Sequence, residues 1–146
     1  MCMTVAQILN AKGRAVITAQ PGDTVLTVAQ TLATKKIGAV VIVDAQGRIG
    51  GIVSERDIVR AVALGGPRAL DKPIKEFMTS SVRTCAPRDT EAELMSLMTE
   101  HRVRHLPVVE GGKLGGMISI GDVVKHRIEE IEREAEEMKS YIASSG

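Results

Sequence analysis

Apolar positions along the chain alternate between two spacings, and the alternation occurs twice. The first pass opens on a short β-prone piece, Val16-Ile17-Thr18, and a Pro21-Gly-Asp-Thr24 turn in which Asp23 is placed to cap a helix. Val25, Val28, Ala29 and Leu32 then recur at helical spacing. The run Ala39-Val40-Val41-Ile42-Val43 has no polar alternation, which predicts a strand covered on both faces. A turn at Gln46-Gly47 leads to a second strand through Ile52-Val53. Ser54 stands where that strand hands over to a helix running through Ile58, Val59 and Val62 and ending near Gly65-Gly66-Pro67. The second pass has the same order: Val82-Arg83-Thr84, a turn at Pro87 to Thr90 with Asp89 as cap, and a helix face of Leu94, Met95, Leu97 and Met98. The strand Leu106-Pro107-Val108-Val109, the turn Gly111-Gly112, the strand through Met117-Ile118 and then Ser119 follow. Each pass predicts a β-α-β-β-α unit.

The two passes align residue for residue. Thr18 matches Thr84, Pro21 matches Pro87, and Asp23-Thr24 matches Asp89-Thr90. One residue is dropped at the hairpin, after which Gly50-Gly51 matches Gly115-Gly116, Ser54 matches Ser119 and Asp57 matches Asp122. An internal repeat predicts two similar units about a pseudo-two-fold axis, with any site at their junction formed twice. Each copy is too small to bury a secure core alone, so the two are expected to share one core and unfold together. Gly65 to Pro73 reads as the linker. Ile74-Lys75-Glu76-Phe77-Met78 after it matches Val5-Ala6-Gln7-Ile8-Leu9 as a short amphipathic lead-in, the latter a short N-terminal helix. The last helix is longer than its counterpart. From Val124, apolar residues at Ile128, Ile131, Ala135, Met138 and Ile142 step by alternating fours and threes, a seam that calls for a partner, either the chain's own body or, as favoured here, a second chain. Its outer face of Glu129, Glu130, Glu132, Glu134, Glu136 and Glu137 reads as solvated. The organisation expected is 1–66 for the first repeat with the N-terminal helix, 67–127 for linker and second repeat, and 128–146 for an oligomer-contacting helix. The fold class is α+β.

Composition narrows the function. In 146 residues there is one Tyr, one Phe and no Trp, which argues against the stacking platforms that single-stranded nucleic-acid binders use. A net charge of +1 gives no electrostatic reason to expect nucleic acid or an acidic membrane. No apolar run reaches the roughly 20 residues that span a bilayer, and MCMTVAQILNAKGR lacks a secretory layout. Cys2 and Cys85 are too few for a disulfide framework, and a reduced cytoplasmic protein is expected.

Ser54 with Asp57, repeated as Ser119 with Asp122, carries the clearest chemistry. A serine at a helix start leaves backbone N–H groups that favour a phosphate, and an aspartate one turn on can accept hydrogen bonds from vicinal ribose hydroxyls. The same spacing is also that of a capping box. Other signals are weaker. His101 and His105 lack a third ligand at supporting spacing for a metal. The glycine-rich Gly111 to Gly116 lacks the Lys-Ser/Thr ending of a phosphate loop. Cys85 follows Thr84 and reads as a small core residue, and no triad of Ser, His and Asp has a supporting context.

The residues Gly51-Ile-Val-Ser-Glu-Arg-Asp57, Gly116-Met-Ile-Ser-Ile-Gly-Asp122, Arg104-His-Leu-Pro-Val108 and the Pro-x-Asp-Thr turns together resemble a tandem pair of cystathionine-β-synthase (CBS) domains, a Bateman module. The resemblance covers residues 16–126. It implies a disc-like pair that binds adenine nucleotides in clefts between the repeats, and it tips the Ser-x-x-Asp reading toward a ligand. By this resemblance one cleft combines Thr84, Arg104, His105, Leu106 and Pro107 with Ser54, Arg56 and Asp57. The other combines Thr18, Gly38, Ala39 and Val40 with Ser119 and Asp122. The first has the guanidinium groups suited to phosphate; the second would hold an uncharged adenosine half or borrow a base such as Lys36. Pro107 needs no N–H donor, which suits an edge or ligand-facing strand position. The function implied is a stand-alone, non-catalytic sensor of energy or redox state. Its ligand would be AMP or another adenine nucleotide (ATP, ADP, NAD or NADH), and it would form a homodimer and act on a regulated protein the sequence does not name. The alternatives are an adaptor dimerising through its last helix and a small nucleotide-processing enzyme using His105 as base.

Overall fold

The structure, a computed structural model, describes residues 3–145. Cys2, one of the two cysteines weighed above, lies outside the described residues. The chain forms α1 (Val5–Lys12), β1 (Thr18–Ala19), α2 (Val25–Lys35), β2 (Ala39–Val43), β3 (Ile49–Ser54) and α3 (Glu55–Gly65). After two 3-10 stretches, Gly66–Asp71 and Ile74–Glu76, come α4 (Glu91–His101), β4 (His105–Glu110), β5 (Lys113–Ser119) and α5 (Ile120–Ser145). This is an α+β fold of two repeats. One sheet has the order β1-β2-β3, with β1 parallel and β3 antiparallel to β2; the other is the antiparallel pair β4-β5.

The Pro-x-Asp-Thr turns do start α2 and α4, but the threonine is the cap. Thr24 Oγ1 accepts from the Thr27 N–H at 3.1 Å and Thr90 Oγ1 from the Glu93 N–H at 3.2 Å. Asp23 and Asp89, expected as caps, sit one residue too early. They close the turn before the helix by accepting from the Gln20 and Ala86 N–H groups at 2.9 and 2.8 Å. α2 buries Val25, Val28 and Leu32, and α4 buries Leu94 and Met98. Met95, expected on the same face, points to solvent instead. β2 is buried along nearly its whole length, as its unbroken apolar run requires.

The second repeat lacks a counterpart of β1, and Pro107 is the reason. In the first repeat Thr18 and Ala19 pair with Val41 and Ile42, and the Val41 N–H donates to the Ile17 carbonyl at 3.4 Å. The residue equivalent to Val41 is Pro107, which has no N–H to give. Only the bridge between Cys85 and Val108 survives, held by Cys85 N–H to Pro107 carbonyl (3.0 Å) and Val109 N–H to Cys85 carbonyl (2.9 Å). The β-prone piece Val82-Arg83-Thr84 is therefore not a strand. Pro107 lies on β4, an edge strand of the two-stranded sheet as expected, with its side chain buried. The hairpin of this repeat turns on Gly111 and Gly112, both at positive φ (59° and 78°), the two-residue geometry that favours glycine.

The expected single core is two clusters, linked by an exchange of segments. Val5, Ile8 and Leu9 of α1 complete the core of the second repeat, with Leu94, Met98, Leu106, Val108, Ile118 and Val123. Ile74, Phe77 and Met78 of the lead-in to the second repeat complete that of the first, with Val25, Val28, Val40, Ile42 and Val53. The backbone repeats the exchange: Val5 N–H donates to Asp89 carbonyl (2.8 Å) as Ile74 N–H donates to Asp23 carbonyl (2.7 Å). The second glycine of each Gly-Gly pair makes room for it. A Cβ on Gly116 would lie 2.7 Å from Leu9 Cδ2, and one on Gly51 would lie 2.6 Å from Met78 Sδ. Each half thus depends on a segment that precedes the other half in sequence.

Cys85 is a buried free thiol that burial, reinforced by Asp89, pushes up to about 12; it is a core residue and not a nucleophile. α5 packs on the body through Val123, His126 and Glu130. Glu130, expected on the solvated face, turns inward, where Arg127 Nη1 meets it at 3.3 Å and Arg127 Nε approaches Glu91 at 3.9 Å. Residues 131–143 are exposed.

Candidate functional site

A cavity of about 470 Å³ opens between the repeats, within the roughly 300–1,000 Å³ usual for small-molecule sites. Its wall joins Ser54, Glu55, Arg56, Asp57 and Arg60, at the start of α3, to Arg102, Val103, Arg104 and His105, which link α4 to β4. Gly38, Ala39, Ile52 and Thr79 complete it.

Local chemistry fixes each side chain. Ser54 and Asp57 form a reciprocal capping box. Asp57 Oδ2 accepts from the Ser54 N–H at 2.9 Å and from its hydroxyl at 3.2 Å, while the Asp57 N–H points to Ser54 Oγ at 3.4 Å. Asp57 Oδ1 faces Arg60 at 3.7 Å, and the side chain is buried apart from its edge on the cavity. The Glu55 N–H is spent on the Gly38 carbonyl at 3.0 Å. The helix start therefore has fewer backbone donors for an anion than the sequence suggested, and positive charge in the cavity comes from Arg56, Arg60, Arg102 and Arg104. Only Glu55 and Asp57 oppose them on the wall. Burial holds His105 below the ordinary histidine value of 6.5, with Lys12 and Arg104 adding to the shift and Asp122 and Glu55 opposing it, so its imidazole is neutral at pH 7. Gly38 lets that ring approach, since a Cβ there would stand 3.2 Å from His105 Cε1.

The equivalent position in the second repeat is different. Asp122 Oδ2 accepts from the Ser119 N–H at 2.8 Å, and the Asp122 N–H donates to Ser119 Oγ at 3.1 Å, which repeats the box. But Lys12 Nζ, from the end of α1, lies 2.6 Å from Asp122 Oδ2 and 2.8 Å from the Met117 carbonyl oxygen. Met117 and Asp122 are the counterparts of Ile52 and Asp57, which line the open cavity. Burial alone would raise Asp122; the Lys12 ammonium and the Ser119 N–H outweigh it and hold the carboxyl below its ordinary 3.8.

Of the residues expected from sequence, Gly38, Ala39, Ser54, Arg56, Asp57, Arg104 and His105 line one cavity. Gly38 and Ala39, assigned to the other cleft, are on this one because Gly38, just before β2, abuts His105 at the start of β4. Thr18, Val40, Thr84, Leu106, Pro107, Ser119 and Asp122 do not line it. Val40 and Leu106 are fully buried in the two cores, whereas Thr18 and Thr84 are exposed. Ile52, Glu55, Arg60, Arg102, Val103 and Thr79 were not anticipated. Arg60 had a signal, one turn beyond Asp57 on the same helix. Arg102 had none, because its place follows from the left-handed cap of α4 (φ 53°). Among the described residues no group of three or more His, Cys, Asp or Glu could hold a metal ion, and no helix is long and apolar enough to cross a membrane.

Comparison with known proteins gives a consistent result. Residues 6–64 and 74–129 each match the family profile of the CBS domain. The crystal structure of a CBS-domain containing protein from Agrobacterium tumefaciens superposes with a TM-score of 0.84 at 46% identity, covering 87% of this chain and 95% of that one. A CBS domain protein from Pyrobaculum aerophilum, solved in complex with AMP, has a TM-score of 0.74 at 31% identity over 82% of this chain and 89% of its own. A CBS domain pair solved with 5′-methylthioadenosine and S-adenosyl-L-methionine has a TM-score of 0.75 at 26% identity over 84% and 98%.

Proposed function

Since the chain belongs to the CBS-domain family, as a tandem pair, we propose that it is a regulatory module binding a phosphate-bearing adenine nucleotide in the cleft between its repeats. One observation carries this reading: a single cavity sets the Asp57 carboxylate of one repeat opposite the Arg104 and His105 of the other, with three more arginines on its wall. Asp57 would accept the ribose hydroxyls through Oδ1, since Oδ2 is held by Ser54. The arginines would take the phosphates, the guanidinium fork matching two oxygens at once. The purine would lie against Ala39, Ile52 and Val103, as no Phe, Tyr or Trp lines the cavity. The excess of positive charge favours AMP, ADP, ATP or NAD(H) over the sulfonium cation of S-adenosylmethionine. The relative solved with AMP supports an adenosine ligand of this kind.

Lys12 already occupies the second carboxylate, so one nucleotide would bind per chain. Binding would shift the angle between the repeats by the ligand's difference in affinity for two arrangements. A regulated protein would read that shift, with a second copy of the chain seated on the α5 seam. A thermal-shift screen with AMP, ADP, ATP, NAD, NADH and S-adenosylmethionine tests the reading. A nucleotide at about 100 times its dissociation constant stabilises by about 2.7 kcal/mol, several degrees at this size. The phosphate-bearing ligands should raise the melting point, and Asp57→Ala should remove the rise. No shift with any ligand would dismiss the proposal.

A further inference from the structure

The two halves differ at one buried contact. In the first repeat Val25 of α2 and Ala61 of α3 belong to the same apolar core, both buried. Repeat equivalence carries Val25 to Glu91, Ala61 to His126, Val62 to Arg127 and Gly65 to Glu130. An apolar contact in one half is an ionisable cluster in the other, where α4 meets α5. Glu91, His126 and Glu130 are all buried there.

A single guanidinium serves two carboxylates in this cluster. Arg127 Nη1 stands 3.3 Å from Glu130 Oε2, whereas Arg127 Nε stands 3.9 Å from Glu91 Oε1, beyond hydrogen-bond reach. Glu91 Oε2 is buried and has no hydrogen-bond partner among the described residues. His126 Nδ1 faces the half-exposed Glu129 at 3.7 Å. α1, which also packs on α5, carries Lys12 as its one charged residue, and that is bonded to Asp122. The charges that act on Glu91 thus come from α5. Burial and then Glu130 hold its carboxyl above the ordinary 4.5, with Arg127 and His126 opposing. With both carboxylates ionised, two negative charges meet one guanidinium in a site sheltered from water, and one proton removes the excess. Glu91 is the residue to hold it: it is the more buried of the pair, lies farther from Arg127 and has the oxygen without a partner.

We propose that the α4–α5 junction is a proton-operated latch: while Glu91 carries a proton α5 stays docked, and loss of that proton loosens residues 126–130 from α4. The latch is independent of the nucleotide reading.

Urea midpoints of wild type, Glu91→Gln and Glu91→Val, followed against pH, test the latch. Glutamine keeps the shape of the protonated acid, and valine is the residue of the first repeat. Between the ordinary and the folded value of Glu91 the folded chain holds more protons than the unfolded one. The stability this gives is complete below the ordinary value and is lost as pH rises through the folded value. From about pH 4.5 to about pH 7.5 the wild type should therefore lose midpoint relative to both variants. Hydrogen exchange locates the loss. At the upper pH the amides of residues 126–130 should open more readily in wild type than in Glu91→Gln, by about tenfold for each pH unit between the two values; at the lower pH they should match. Carbon-13 titration of the wild type alone should show a glutamate carboxyl above the ordinary range. A midpoint difference that stays constant with pH, or opening of residues 126–130 that matches Glu91→Gln at every pH, overturns the latch. So does a wild type in which every glutamate titrates in the ordinary range. None of these outcomes bears on nucleotide binding, which is read separately by thermal shift.

Discussion

Asp57 and Asp122 occupy equivalent positions and share the same hydrogen bonds to a serine, yet one faces an open cavity and the other an ammonium group. Lys12 makes the difference, and pH exposes it. Asp122 in the fold titrates below its ordinary 3.8, so between those two values the folded chain binds fewer protons than the unfolded one. Its contribution to stability is complete above the ordinary value and is lost as pH falls through the folded value. Lys12→Met removes the main cause of the shift. From about pH 5 to about pH 3 the wild type should therefore lose more stability than Lys12→Met, read as the fall in urea midpoint at each pH. Equal falls in both proteins would mean that Lys12 does not hold Asp122 in solution. The sequence revealed the two aspartates through their repeat positions. It did not reveal Lys12, because a side chain more than a hundred residues away in sequence has no local signature.

Elements that lead each half complete the core of the other, and the small residues of β3 and β5 permit it. Gly116→Ala would place a methyl carbon 2.7 Å from Leu9 Cδ2, and Leu9→Ala would empty a fully buried site. Leu9→Ala should cost about 2–5 kcal/mol, with Gly116→Ala also destabilising because α1 must lift away from β5. In both variants the loss should appear as one transition by far-ultraviolet circular dichroism, since neither core is complete without a segment leading the other half. A second transition would show that the repeats unfold independently. Much of this was legible beforehand. Val25, Val28 and Leu32 gave α2 by spacing, and the Val5 to Leu9 motif was matched to Ile74 to Met78. Which core each would enter was not legible, because amphipathic spacing shows that a face is buried without showing where. The missing β1 counterpart is readable from Pro107: its lost N–H ends the ladder, which is the physical content of the edge position expected for it.

The whole molecule is a repeat whose two halves have diverged at their junction. Arg56 and Arg104 of the open cleft have Gly121 and Gly38 as their repeat equivalents, so guanidinium groups concentrate on one side of the pseudo-two-fold axis. The symmetry of the fold would allow two ligands; on the reading proposed here, the charges and the Lys12 contact would leave room for one. The seam of α5 would then join two such asymmetric modules, one nucleotide in each. Isothermal titration calorimetry of ATP into the wild type, Asp57→Ala and Asp122→Ala tests this most directly. The geometry predicts one site per chain, abolished by Asp57→Ala and retained in Asp122→Ala, weakening as salt screens the arginines. Two equal sites, or a single site lost with Asp122→Ala and kept with Asp57→Ala, would contradict it.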